Sequence, residues 1–513
     1  MKIHRTKNAA RNILVDGLMN AVNLLIPFFM RSITLHSLGV QYLGLNGLFR
    51  SLFSFLNLAE LGVGSAIVFS MYRPIAEDDP ETICALMRLY RRLYRLIGLV
   101  IAAAGLCFSP FLPVLIKGNV PTEINLHLLY FMHLGGTVLT YWLYPDRLGL
   151  LYAHQRTDVK SRAALAVHLA EYALKVAALV LFQNYYLYLA AQLLCQAGIS
   201  LIAASSAKRM YPQYAPRGNL PKEKTRDIAR RVRDLFAVKL STAIFKSADT
   251  LVVSSFMGLT ALAVYQNYDY VVVALCALLD VVVNACMAGV GNSLIVESAE
   301  KNYDDLRKFS LLSGWLLGVT AAMLLCLYQP FMALWMGQDH LLSVECMVCF
   351  VLSYYFLGLN RMIGLFKDAA GIWRRDRLRP LAAALANLAL NLATVRWLGL
   401  YGVLLSSVIA YVLIAVPWLI RNLFREVFPR AHVWQYVREV CGLVLCALAG
   451  CAASWYICSR WTVAPFTALF AYGGISFAVS NGFFLLAYGR TPLFRACMAH
   501  MKRILRREKA LPQ

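Results

Sequence analysis

"LGVQYLGLNGLFRSLFSF", residues 38–55, is as apolar as a membrane span, yet it carries a charge, Arg50. A related phrase, "MGLTALAVYQNYDYVVVAL", returns at residues 257–275 with Asp269 in the matching place. Gly39 and Gly258 are 219 residues apart, and a second pair of phrases keeps nearly that offset. "AHQRTDVKSR" at 153–162 and "GIWRRDRLR" at 371–379 align Arg156 with Arg374 and Asp158 with Asp376. Each phrase falls at the same place in a unit of six apolar runs, which reads as an internal duplication. An even number of spans per unit gives both halves one orientation. Two parallel halves related by an axis along the membrane normal are a transporter arrangement, with the substrate site between them.

The spans follow from composition. The chain has 513 residues, of which 60% are hydrophobic, and its mean hydropathy is +0.59. Apolar runs repeatedly reach the ~20 residues that cross a bilayer. Breaks at charged or Pro/Gly-rich segments give about fourteen spans, with limits near 12–34, 44–70, 92–116, 125–148, 163–182, 186–207, 237–257, 263–296, 309–333, 343–366, 380–396, 400–420, 436–458 and 465–488. The expected fold is therefore an all-α polytopic membrane protein, with two parallel six-helix lobes, a central cavity and two C-terminal helices. The expected divisions are 1–220, 221–430 and 431–513, the last holding spans thirteen and fourteen and a basic tail.

A formal charge of +23 raises the question of nucleic acid, but the basic residues cluster in short segments between spans. Alternating the loops sends about 42 of the Lys and Arg to one side, the positive-inside pattern, which puts both termini in the cytoplasm and the chain in the cytoplasmic membrane. "MKIHRTKNAARN" is read as a basic tail with no cleavable signal peptide. The segment "NLPKEKTRDIARRVRDLF" in the 208–236 loop reads either as a helix on the inner membrane surface or as a solvated linker helix, with Asn219 or a neighbour as cap. "CALMRLYRRLYRL" at 84–96 has the same interfacial character.

The 13 cysteines are scattered without C-x-x-C pairs or histidines at metal spacing, and Cys107, Cys195, Cys276, Cys286, Cys326 and Cys446 read as small buried hydrophobes. No metal site or cofactor is expected.

A charge at mid-bilayer costs about 2.5–3.5 kcal/mol on insertion scales, so ionisable residues inside spans face a partner or a wet cavity. The candidates are Arg31, Arg50, Glu60, Glu171, Lys175, Lys246, Asp249, Asp269, Asp280 and Arg361. Glu171 and Lys175 are four apart and Lys246 and Asp249 three apart, so each can pair along its own helix. Arg31 and Arg50 flank a short outer loop, 35–43, with no acid within a turn, and need an anion. Either a carboxylate of the other half, such as Asp269, supplies it, or a substrate does; the planar guanidinium fork suits phosphate oxygens. Arg31, Arg50, Arg361 and Lys246 are thus candidates to line a substrate cavity, and Glu60, Asp249, Asp269 and Asp280 candidates for ion coupling or interlobe pairing. Asn387 and Asn391, four apart, can join helices by hydrogen bonds.

The phrases "LGVQYLGLNGLFRSLFSFLNLAELGVGSAIVFSMYRPIAEDD" (38–79), "KSADTLVVSSFMGLTALAVYQNY" (246–268) and "DAAGIWRRDRLRPLAAALANLALNLATVRWLGLYGVLLSS" (368–407) resemble the polysaccharide-transporter branch of the multidrug/oligosaccharidyl-lipid/polysaccharide (MOP) exporter superfamily. That branch includes Wzx-type oligosaccharide-lipid flippases. The resemblance implies movement of a polyprenyl-diphosphate-linked oligosaccharide between leaflets by alternating access, for cell-envelope polysaccharide. It also implies partners among membrane lipids and other polysaccharide-assembly proteins, and a cationic cavity to which Arg31 and Arg50 correspond by span and chemistry. Asp269 departs from that pattern, standing where the related lipid II flippase has a cavity arginine. The alternatives are a MATE-like cation-coupled drug antiporter, whose cavities favour acids and aromatics, and a membrane glycosyltransferase or polymerase. The enzyme reading fits less well, because the outer loops are short and lack paired carboxylates, and no Walker loop is present.

Overall fold

Asn and Asp side chains start several of the helices, and glycines and prolines break them. The computed structural model describes residues 25–60, 62–118, 120–461 and 463–499. Those residues are helical throughout, with no strand among them, and nine of the described helices are long and apolar enough to cross a membrane. The chain packs into two compact units that divide between Ala263 and Val264.

In the first unit, helix α1 covers 25–38 and α2 covers Val40–Leu56. The second expected span continues through a 3-10 turn, Asn57–Glu60, into α3, Val63–Ala76, with Gly62 left-handed at the join. Next comes α4, Pro80–Phe108, capped by Asp79, whose Oδ1 accepts from the Thr82 N–H at 3.0 Å. The fourth span is also in two pieces, α5 (Leu126–Trp142) and α6 (Pro145–Ala153). Pro145 has no N–H to give a continuous helix, so it sits at the first position of a new one. Helices α7, Thr157–Val180, and α8, Tyr185–Met210, form an antiparallel hairpin whose turn is capped by Asn184.

Helix α9 runs from Lys222 to Met257. The basic run 222–236 is therefore not a separate surface helix but is continuous with the helix over the expected span 237–257. Pro221, rather than Asn219, stands at its cap, and the Asn219 Oδ1 instead accepts from Arg88 at 3.1 Å. Similarly, 84–96 belongs to α4, where Tyr90 and Tyr94 point inward and are 6% exposed.

The charge-poor end of the first unit is held by close backbone approach. The Lys117 N–H donates to the Ser254 carbonyl at 3.1 Å, and Ser254 Oγ donates to the Leu115 carbonyl at 2.6 Å. A Cβ at Gly44 of α2 would collide with the Leu259 carbonyl oxygen. Gly39, at φ 103° and ψ 168°, separates α1 from α2, and Gly258, at φ 91° and ψ −178°, follows α9. Both occupy backbone space open essentially to glycine alone. The repeat that pairs them in sequence therefore pairs them in conformation, and Gly118 (φ 88°) and Gly337 (φ 89°) form a second such pair.

The second unit begins within α10, Leu259–Val296, a helix of 38 residues and so roughly 57 Å long, well beyond the ~30 Å hydrocarbon thickness. Helix α11, Ala299–Met336, is its centre. Around it stand α12 (Val344–Ala369), α16 (Val433–Ser459) and α17 (Pro465–Tyr488). Between α12 and α16 lie the short α13 (Trp373–Asp376), α14 (Leu378–Ile409), a π-helical turn (Ala410–Ala415) and α15 (Val416–Glu426). Gly399, at φ 56° and ψ −135°, interrupts α14. Asn387 Nδ2 donates to Ser407 Oγ at 2.8 Å, so the chain doubles back at Gly399, giving the two spans expected on either side of it.

In lipid, helices gain little from expelling water and associate through small residues and interhelical hydrogen bonds. Helix α11 presents Gly314 to Leu443 and Gly318 to Ala447 of α16. Trp315 stacks on Phe484 of α17 with centroids 4.9 Å apart, and its indole N–H reaches Asn481 at 2.9 Å.

Candidate functional site

The break in the second span places Glu60 at the end of a 3-10 turn, and three tyrosines from distant positions surround it. Glu60 Oε1 accepts a short hydrogen bond from Tyr94, which in turn receives one from Tyr90 at 3.2 Å. Oε2 accepts from Tyr141 at 3.3 Å, and Tyr141 also reaches Asn57 Oδ1 at 3.0 Å. Tyr90 and Tyr94 stack with centroids 4.5 Å apart, one helical turn from each other on α4. Gly64 is bare where the two hydroxyls pass: a Cβ there would lie 2.9 Å from the Tyr90 oxygen. Sequence reading picked out Glu60 but not its partners; the four-residue spacing of Tyr90 and Tyr94 was a signal, assigned to the wrong environment.

Glu171 and Lys175 pair along α7 at 2.6 Å, as their spacing predicts. The pair is 5% and 6% exposed and is completed by His168 Nδ1, 2.9 Å from Glu171 Oε2, and by Gln192 of α8, 3.0 Å from Lys175 Nζ. With each charge met by a second polar group, this cluster is self-contained. Asp249 on α9 is buried, whereas the side chain of Lys246, its expected partner, lies outside the described residues.

Arg50 differs from these groups. Its α2 neighbours Leu48, Phe49, Leu52 and Phe53 are buried, the phenyl rings against Tyr130 and His133 of α5, but Arg50 itself is exposed. Among the described residues it has no ion-pair partner. Arg31 lies half-buried on α1, and Asp269 half-buried on α10.

In the second unit, Arg361 of α12 bonds Asp280 of α10 and reaches the Cys276 carbonyl at 3.4 Å. The pair is open, with 31% and 51% of the two side chains exposed. Asn360 beside it accepts from Arg379 at 2.8 Å. Asn387 and Asn391 are fully buried, and each is engaged: Asn391 Nδ2 donates to Asn387 Oδ1 at 3.3 Å.

The duplicated charged phrases hold buried aspartates in both units. Asp158, at 0% exposure, takes a bidentate contact from Arg156, with Nε at 2.9 Å. Asp376, at 3%, takes one from Arg379 at 2.7 and 2.8 Å, and another hydrogen bond from Asn422. The repeat matches Arg156 to Arg374, whose side chain lies outside the described residues; among those described, the cation closest to Asp376 is Arg379, three residues after it. A third buried aspartate, Asp146, is held bidentately by Arg91 at 2.9 and 3.0 Å; sequence reading missed it because its partner is 55 residues away. All 13 cysteines are free, and Cys107, read as buried, is exposed on α4. Among the described residues, no group of His, Cys, Asp and Glu is placed to hold a metal ion.

Two helical units of apolar spans with broken helices and buried charge pairs give a fold shared with several solved membrane transporters. The solved structures it matches include the lipid II flippase MurJ in an inward closed conformation, with a TM-score of 0.68 at 15% identity, covering 93% of this chain and 99% of that one. An inward-facing multidrug resistance MATE family transporter of the MOP superfamily matches with a TM-score of 0.62 at 16% identity, covering 79% and 94% of the two chains. An outward-facing form of a MATE transporter matches at 0.54 and 16% identity, covering 82% and 95%. No protein-family model and no curated protein sequence matches the chain.

Proposed function

We propose that the protein is a flippase of the cytoplasmic membrane, with both termini cytoplasmic, that moves a polyprenyl-diphosphate-linked oligosaccharide between leaflets for envelope polysaccharide synthesis. The observation that carries this reading is Arg50: an arginine within an apolar helix, exposed and without an ion pair among the described residues. Such a charge demands an anion or water, and a diphosphate supplies the first while its sugars require the second. The fold shared with a lipid II flippase supports the same reading. In it, Arg31 joins Arg50 as a cationic lining, Arg361 and Lys246 are further contacts, and Glu60, Asp249, Asp269 and Asp280 are the carboxylates available for ion coupling.

The test is leaflet accessibility of a lipid-linked oligosaccharide in proteoliposomes. Wild type is expected to speed exposure, and Arg50→Ala to reduce the rate by about 10-fold or more, as for loss of one charge-assisted contact of 1.5–3 kcal/mol. Equal rates with correctly folded protein overturn the reading. A second reading, a cation antiporter, is favoured by the tyrosine cage around Glu60, since aromatics and an acid suit a cationic substrate. Efflux of a cationic dye that depends on Glu60 and not on Arg50 would select it.

A further inference from the structure

A groove of about 1050 Å³ runs along the second unit between α12, the π-turn with α15, and α16. Its walls are apolar, including Phe356, Leu359, Val416, Ile420, Val437 and Val440. One end is different, lined by Arg421, Arg425 and Arg430, all exposed. Among the described residues, Arg421 and Arg430 have no acidic partner. Arg425 has only Glu426 at 3.7 Å, and that carboxylate also binds Arg375. Trp434, 80% exposed, stands at the same end.

The dimensions match one leaflet. From Val412 to Arg425, and from Val433 to Leu445, the groove spans roughly 20 Å at 1.5 Å per helical residue. Half of a ~30 Å hydrocarbon core plus a head group occupies about the same depth. An apolar trough that ends near the bilayer middle suits an acyl chain rather than a crossing helix. Exposed arginines beside a tryptophan mark its other end as the head-group level, on the side rich in basic loops. Guanidinium forks there are suited to phosphate oxygens.

We infer that this groove is a binding site for an anionic phospholipid of the cytoplasmic leaflet, its acyl chain against α15 and α16 and its phosphate on Arg421, Arg425 and Arg430. The site is independent of the transport reading, since neither Arg50 nor the Glu60 cage takes part in it.

Tryptophan quenching by brominated lipids tests it. Protein in nanodiscs is given brominated phosphatidylglycerol or brominated phosphatidylcholine, and the component of quenching that disappears in Trp434→Phe is isolated. Half-maximal quenching is expected at a roughly tenfold lower fraction of the anionic lipid, the order of preference that a few surface cations confer. Combined Arg421→Gln, Arg425→Gln and Arg430→Gln should bring the ratio near one. Val437→Phe, which narrows the groove without touching its charges, should weaken quenching by both lipids and serves if the triple variant does not fold. Equal quenching by the two lipids in wild type overturns the proposal. So does preferential displacement of the brominated phosphatidylglycerol by polyprenyl diphosphate, which would assign the groove to that lipid.

Discussion

Asp158 in the first unit and Asp376 in the second lie at matching places in a duplicated phrase, and both are buried, yet among the described residues the closest cation stands before one and after the other. Arg156 precedes its aspartate by two residues and is 24% exposed, whereas Arg379 follows by three and is 8% exposed. The central helices differ in the same direction. The apolar window of the span Pro80–Leu115 is 33% buried and that of Ala299–Met336 is 67% buried, because α16 and α17 cover α11. A carboxylate below the surface must be neutralised. Arg379 is the more deeply set of the two cations because Asn360 of α12 and the Ala415 carbonyl of the π-turn enclose it.

The largest expected effect separates the two aspartates. Among the described residues, Arg379→Ala leaves Asp376 with Asn422 and a lysine, Lys367, at 3.6 Å. Breaking a buried pair in this way should cost about 3–5 kcal/mol. Arg156→Ala, with its cation already partly hydrated, should cost less, about 1–3 kcal/mol. Thermal unfolding in detergent measures both, and equal losses would remove the distinction drawn here.

Next in size is the covering of α11. A Cβ at Gly314 would lie 3.0 Å from Leu443 Cδ1, so Gly314→Val must push α16 outward. About 1–3 kcal/mol is expected for such overpacking, read in the same assay. A neutral result would mean that α16 adds little to the second unit.

The smallest effect concerns pH. His154, at the end of α6, is buried against Tyr211 and holds its Nδ1–H on the Leu150 carbonyl at 3.0 Å. Burial lowers its pKa from the ordinary 6.5. Below that value the unfolded chain gains a proton that the folded chain refuses, so stability falls as pH drops through 6.5 toward the folded value, and is fully present above it. The second unit has Ile372 at the repeat position. A modest loss of melting temperature between pH 7 and 5, flattened by His154→Gln, is the expected outcome; an unchanged slope would place the titrating group elsewhere.

What was legible in the sequence was periodic or local. Gly39 and Gly258 marked the repeat by their offset, though not the backbone conformation they share, and the four-residue spacing of Glu171 and Lys175 announced their pair. The Gly-rich break at 399 separated two spans correctly. Contacts closed by tertiary structure were not legible. Tyr141 reaches Glu60 from 81 residues away and Arg91 reaches Asp146 from 55, and nothing in either neighbourhood points to the other. The long basic run before Phe236 misled for a different reason: charge predicts where a helix meets water, not whether it stops there.

The joint at Gly44, Ser254 and Leu259 is built largely from main-chain atoms meeting main-chain atoms, with the Ser254 hydroxyl adding a side-chain tie. Carbonyls and amides are the same in every residue, so the closing of the joint itself depends little on which side chains flank it, and those side chains are held instead by the core they pack in. The joint's own requirement falls where a side chain must be missing. Gly44 and Gly258 are therefore the points where a bulky residue or an engineered cross-link would act on it most directly.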